Sequence, residues 1–334
     1  MFDYRKRIAA TAAGATAALF AGQAMAGGLE LTVVAGLAES NPLTMSFLQN
    51  FVTPLNKAGK GVLTVKYVGG PDVVPPNKGH AAVQRGQFDL LNCPVSYYIG
   101  AVPEGYAMLA SNVPVSELRK NGGWELLNEA FNKKAGAQLV AWAEQGTPYN
   151  IYLTVKPKFD KDGVPDLSGT KMRTTGTYRP LFRALGASTI GMKASEIYTG
   201  LERGVVQGFG WPVTGVPGLG LHKLVKYRIQ PPFYATNQST TMNLAKWKAL
   251  TKAQKDVLMK AVADYEKTSP PFMQTWVDKD DAVLKKAGVE EIVLKGKAAD
   301  KYLSIAYEEI WKQLAERSEY SDKLRAKLYR APSS

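Results

Sequence analysis

From Leu29 to Leu37 (LELTVVAGL) apolar side chains alternate with others, the period of a strand with one covered face. Glu39-Ser40-Asn41-Pro42 follows as a loop, and Phe47, Leu48, Phe51 and Leu55 then recur at helical spacing over about Leu43 to Lys57. Gly61 to Val68 reads as a second strand ending in Gly69-Gly70-Pro71-Asp72, Lys78 to Arg85 as a helix, and Phe88 to Asn92 as a third strand. This β-α-β-α-β order predicts a parallel, doubly wound lobe. A helix over about Asn121 to Lys134 and a strand at Leu139 to Trp142 extend it, and Glu144-Gln145-Gly146 turns the chain.

Pro148 to Val155, with Tyr149 and Tyr152, has the length and composition of a strand that crosses to a second lobe, and Phe233 to Met242 reads as a second crossing. Between them, Lys171-Met172-Arg173 predicts a short strand ending on a cation. Gly176 and Thr177 open a helix with Leu181, Phe182 and Leu185 on one side, closed by Gly186. Ser195 is placed to N-cap another helix carrying Ile197, Tyr198 and Leu201, stopped by Gly204. Val205-Val206 is expected as a very short buried strand and Gly208-Phe209-Gly210-Trp211-Pro212 as a tight turn. A Thr251…Gln254 capping box launches a helix with Val257, Leu258, Ala261 and Tyr265, which Ser269-Pro270-Pro271 is expected to break or kink. Tyr302, Leu303, Ala306, Ile310 and Leu314 form an amphipathic C-terminal helix.

In open α/β sheets ligands sit beyond the carboxyl ends of the strands. Arg173 and Trp211 therefore become candidates for one cleft, which the loops Glu39 to Asn41, Gly69 to Val74 and Pro94 to Tyr98 also face. A guanidinium offers a planar fork of donors that matches a carboxylate. On the residues alone, a strand-end arginine paired with an Asp or Glu is the competing reading.

The order of Gly169, Lys171, Arg173, Gly186-Ala187, Ser195-Glu196, Tyr198, Leu201, Gly204-Val205-Val206, Gly208 and Pro212 resembles the DctP family. These are the solute-binding subunits of tripartite ATP-independent periplasmic (TRAP) transporters. GGPDVVP and GQFDLLN stand at the places the resemblance expects, so it covers essentially the whole mature chain. It implies an α/β, two-lobed periplasmic binding protein with a doubly wound sheet in each lobe, two hinge-crossing strands and a C-terminal helical segment. The expected division is a signal peptide at 1–26, lobe I at 27–150 plus about 239–278, lobe II at 151–238 plus about 279–306, and a C-terminal helix and tail from about 307. The resemblance also implies that Arg173 pairs with the substrate carboxylate, and that the protein delivers its ligand to small and large permease subunits for sodium-coupled import. At Trp211 the sequence departs from the family, which usually has an asparagine there. An indole donates one N–H and otherwise presents an apolar face. A monocarboxylate with an aromatic or apolar body is therefore expected in place of a C4-dicarboxylate or sialic acid. Tyr97, Tyr98, Trp142, Tyr149 and Phe233 are the further aromatic candidates for the cleft, and Glu39, Ser40, Asn41, Asp72, Asn237 and Gln238 the polar ones.

Composition changes this picture in few places. Arg5, Lys6 and Arg7 precede a small apolar run and the A-x-A motif Ala24-Met25-Ala26, a cleavable export signal that predicts a mature start at Gly27 and a periplasmic location. The formal charge of +13 loses three cations and Asp3 with it, leaving +11. Those cations are scattered without an aromatic-basic motif, which argues against nucleic acid. The sole cysteine, Cys93, excludes an internal disulfide and is expected to be buried. His80 and His222 have no second metal ligand at helical spacing, and no P-loop, G-x-S-x-G or C-x-x-C is present. No metal, cofactor or catalytic set is therefore expected, and the chain is expected to act as a monomer. Two readings from other classes stay open on the residues. A ligand-presenting sensor partner would use the same fold, and a periplasmic enzyme for aromatic acids would need a base near Arg173.

Overall fold

The structure, a computed structural model, describes residues 28–330; the expected export signal and the tail from Pro332 fall outside the described residues. The chain starts with β1 (Leu29–Ala35), whose Leu31, Val33, Val34 and Ala35 are all buried. Asn41 caps the next helix by accepting from Leu43 N–H at 3.0 Å. That helix runs through α1 (Pro42–Phe47), a π-helical turn (Leu48–Val52) and α2 (Thr53–Ala58). β2 (Leu63–Gly69), α3 (Pro76–Gln84) and β3 (Leu90–Pro94) complete the first winding, and α4 (Gly105–Leu109), α5 (Val115–Asn121), α6 (Gly123–Ala135) and β4 (Ala137–Ala141) follow.

The second layer system begins at β5 (Tyr149–Leu153), followed by a hairpin of β6 (Lys158–Phe159) and β7 (Pro165–Asp166). Next come β8 (Lys171–Thr174), α7 (Arg179–Ala184), β9 (Ser188–Gly191), α8 (Ile197–Glu202), β10 (Gly208–Pro212) and β11 (Tyr227–Phe233). The chain then returns through β12 (Gln238–Asn243) and α9 (Leu244–Ala249) to α10 (Lys252–Lys286). It closes with β13 (Glu290–Val293), α11 (Gly296–Ala315) and α12 (Ser321–Leu328).

Two sheets result, ordered β2-β1-β3-β12-β4 and β13-β11-β5-β10-β8-β9. Each contains one strand antiparallel to its neighbours: β12 in the first and β5 in the second. Both reversed strands are entered by chain arriving from the other sheet, β5 from β4 and β12 from β11. The two crossings lie side by side: Thr236 N–H donates to Thr147 O at 3.2 Å, and Trp142 Nε1 to Thr236 O at 2.5 Å. α10 is a third link, packing on α1, α2 and β4 and leading into β13 of the other sheet.

Four expectations change. Gly208–Pro212 is a fully buried strand, and Val205, at 45% exposed, belongs to the loop before it. Neither glycine of that strand takes the positive φ of a turn. They are there for close packing: a Cβ on Gly208 would lie 2.5 Å from Leu153 Cδ2, and one on Gly210 2.5 Å from Tyr178 Cδ1. Ser195 lies inside a short 3₁₀ turn (Ala194–Glu196) whose start is closed by Lys193 N–H donating to Glu196 Oε2 at 3.0 Å, so it is not the cap. α10 continues through Pro270 and Pro271. An interior proline costs about 3 kcal/mol, offset here by burial along the helix from Leu258 to Leu284. The expected amphipathic helix with Tyr302, Leu303, Ala306, Ile310 and Leu314 is α11, and α12 follows it.

Where the crossings meet α10, Glu144 is only 2% exposed. Its Oε1 accepts from Tyr265 Oη at 2.5 Å and Ser269 Oγ at 3.0 Å, and Ser269 Oγ also meets Ser46 Oγ at 2.9 Å. Burial pushes this carboxyl up to about 7, against the opposing pull of those hydroxyls. Because the folded form holds its proton more tightly than the unfolded chain, the stability linked to Glu144 is full below about pH 4.5. It is lost as pH rises through 7, by about 3 kcal/mol in total. Denaturant titrations at pH 5 and pH 8 should show wild type losing stability relative to Glu144→Gln over that interval; parallel behaviour of the two proteins would refute the assignment. Gly210→Ala should cost about 1–3 kcal/mol in the same assay, because the Tyr178 ring must move.

Candidate ligand-binding site

The carboxyl ends of β1, β3, β8 and β10 converge between the two sheets on a cavity of about 50 Å³. From the first sheet's side come Leu37, Asn41, Leu43, Pro94, Ser96 and Tyr97. From the other come Tyr149, Arg173, Thr175, Thr177, Tyr178, Trp211, Pro212 and Thr214. The cleft is shut over Arg173, which is 1% exposed. At about 10–15 Å³ for each water-sized probe, the space holds roughly four such groups, so a larger ligand requires the lobes to part.

Arg173 reaches the cavity because β8 ends there, hydrogen-bonded between β10 and β9. Its Nε donates to Met192 O at 3.0 Å, while Nη2 is buried without any partner. Burial lowers the guanidinium pKa, and the nearby Tyr178, Tyr97 and Glu196 only partly oppose that. The Trp211 ring lies 5.7 Å from Arg173 Cζ, and its own Nε1 is also buried without a partner at 6% residue exposure. A buried polar group without a partner costs about 1–3 kcal/mol, and more when charged. Two such unpartnered donors, on residues that line one cavity, would suit an acceptor that carries negative charge. Arg173 is the one cation among the lining residues, and none of them is a carboxylate.

Tyr97, Tyr149 and Asn41 line the cavity together with Arg173 and Trp211. Tyr149 is buttressed by Tyr178 at 5.4 Å and by Phe233 at 6.4 Å between ring centroids, which puts Phe233 in the layer behind. The other candidates lie elsewhere. Tyr98 turns away from the cavity to stack on His80 at 5.1 Å, since the 3₁₀ turn at Val95–Tyr97 sends the two tyrosines in different directions. Trp142 is core, its N–H spent on the second crossing. Asp72 is exposed and accepts from Gly70 N–H at 3.2 Å, a turn-closing role. Glu39 and Ser40 are exposed and outside the lining. Gln238 is buried and donates to Asn92 Oδ1 at 2.6 Å. Asn237 sits one layer back, accepting from Ser96 Oγ at 2.9 Å and donating to Gly105 O at 3.2 Å. Sequence reasoning missed Thr175, Tyr178 and Thr214, and reached Ser96 only as part of the loop Pro94 to Tyr98. All four stand within five residues after a strand end, so extending the strand-end rule a few positions further finds them.

Fold and cavity together define a two-lobed protein with a cavity where both sheets present their strand ends, lined by one cation, Arg173. The family model for bacterial extracellular solute-binding protein family 7, DctP, matches residues 34–318, and the chain belongs to that family. A solute-binding protein of Albidiferax ferrireducens is 26% identical over 295 residues, covering 84% of this chain and 83% of that one. The TRAP periplasmic solute-binding protein of Desulfovibrio salexigens, solved with bound orotic acid, superposes with a TM-score of 0.76 at 19% identity, covering 89% of this chain and 96% of the other. The corresponding Roseobacter denitrificans protein, with bound L-galactonate, gives a TM-score of 0.73 at 18% identity, over 90% and 98% of the two chains. Among the described residues no helix is long and apolar enough to cross a membrane.

The unpartnered guanidinium makes a prediction about the ligand-free protein. Arg173→Met removes a buried charge and keeps much of the volume, so the ligand-free variant should be more stable than wild type by about 1 kcal/mol. Denaturant midpoints without ligand measure this, and a loss of stability would show that Arg173 is a structural group.

Proposed function

We propose that this chain is exported to the periplasm, captures an organic monocarboxylate between its lobes and presents it to a TRAP permease for sodium-coupled import. The observation that carries the reading is the buried Arg173 guanidinium, with Nη2 unpartnered, on a residue that lines the interlobe cavity. A single cation without a second one favours one carboxylate over two, and the absence of a lining Asp or Glu disfavours an ammonium group. A hydrogen bond to a charged group nets roughly 1.5–3 kcal/mol, whereas micromolar binding needs about 8 kcal/mol. The rest must come from apolar contact, for which Leu37, Leu43, Tyr97, Tyr149, Tyr178 and Trp211 provide the wall. An aromatic or apolar body on the acid fits that wall. Hinging at the two crossings and along α10 admits the ligand, and closure excludes water and strengthens the ion pair.

The test is a thermal-shift screen of the protein from Gly27 onward against aromatic, apolar, sugar and dicarboxylic acids, repeated with Arg173→Ala. A ligand at 100 times its dissociation constant stabilises by about 2.7 kcal/mol and raises the melting temperature. Monocarboxylates should do so in wild type and fail in the variant. Hits that persist without Arg173 would remove the carboxylate anchor, and hits confined to dicarboxylates would remove the monocarboxylate assignment.

A further inference from the structure

Gly176 stands three residues past Arg173, in the loop that leaves β8 of the second sheet. A Cβ there would lie 3.0 Å from Ile99 Cγ2, 3.6 Å from Ser96 O and 4.0 Å from Tyr106 Oη, all on the segment that follows β3 of the first sheet. Gly176 does not take a positive φ, so its own backbone does not ask for glycine. What crowds a side chain there is the other lobe. Gly215 is the contrasting case: its Cβ would come 4.0 Å from Asn41 Nδ2 across the cleft, but a φ of +97° already favours glycine. Ile99 is 8% exposed, and neither it nor Gly176 lines the cavity. The contact lies beside the site and is made by the protein alone.

We propose that Gly176 is the seat on which the first lobe closes. Ile99 comes to rest there on backbone without a side chain, so the size of residue 176 sets the balance between open and closed forms without touching the guest. At 3.0 Å a methyl group already crowds Ile99, and a larger side chain crowds it further. In the parted protein residue 176 faces water and its size costs nothing, so the penalty falls on the closed form only. Apparent affinity scales with the population of the form that holds the guest, so position 176 tunes affinity for every guest by the same factor. The inference rests on the hinged capture of the proposed function, and on none of its carboxylate chemistry.

Two measurements made without any acid test it. Ile99 Cγ2 is one bond from its own Cβ, so in Ile99→Cys/Gly176→Cys the two Cβ positions lie within about 4.5 Å, which a disulfide spans. Oxidised glutathione should convert the two introduced thiols to that disulfide, releasing two equivalents of reduced glutathione. Cys93 is fully buried, with its thiol pushed up by burial, and stays out of the exchange. Introduced thiols that stay free, or end as mixed disulfides with glutathione, in a protein that keeps its circular dichroism would overturn the contact. In the second measurement, Gly176→Trp should stay folded and give a larger radius of gyration by X-ray scattering than the closed structure predicts. A closed radius overturns the seat. Either variant decides alone if the other does not fold. A failed cross-link leaves the carboxylate anchor standing, and failure of every acid in the thermal-shift screen leaves both of these measurements valid.

Discussion

The buried guanidinium of Arg173 is the constraint to which the rest of the site answers. With Nε held by the Met192 carbonyl and Nη2 unmatched, the folded chain carries an electrostatic cost that an anionic guest relieves. In water this imbalance would be trivial; at 1% exposure it is costly. Neutral neighbours keep the charge unmatched. The lining supplies aromatic rings, aliphatic groups and hydroxyls, and the nearest acid that acts on Arg173, Glu196, comes behind two phenols in its influence.

That arrangement depends on a frame in which two sheets share three connections. The reversed strands β5 and β12 are consequences of the crossings, since a chain arriving from the other sheet enters against the local strand direction. The crossings bond to each other, and Glu144 ties them to the middle of α10 through Tyr265 and Ser269. The same helix carries Asp280, which holds the Thr214–Gly215 segment against the cavity. A single helix thus touches both the crossings and the cavity wall.

Polarity inside the cavity is a property of pairs. Thr214 donates its hydroxyl hydrogen to a carboxylate 66 positions away, and Ser96 donates to an amide 141 positions away. No local pattern around either residue carries that information. The aromatic candidates divide for a similar reason: Tyr97 and Tyr98 are adjacent in the chain, and one 3₁₀ turn sends the first into the cavity and the second onto His80.

The sequence by itself determined the alternation of strands and helices, the family, the strand end bearing Arg173 and the positions of the crossings. These follow from hydrophobic periodicity, turn chemistry and the order of motifs, all of which act over short spans. Only the tertiary structure decided that Gly208–Pro212 is a strand, because its glycines answer to Leu153 and Tyr178 rather than to a turn. It alone carried α10 through Pro270-Pro271, where burial along the helix outweighs a local penalty. It alone left Arg173 Nη2 and Trp211 Nε1 without partners, since a missing hydrogen bond is visible only when every neighbour has been placed.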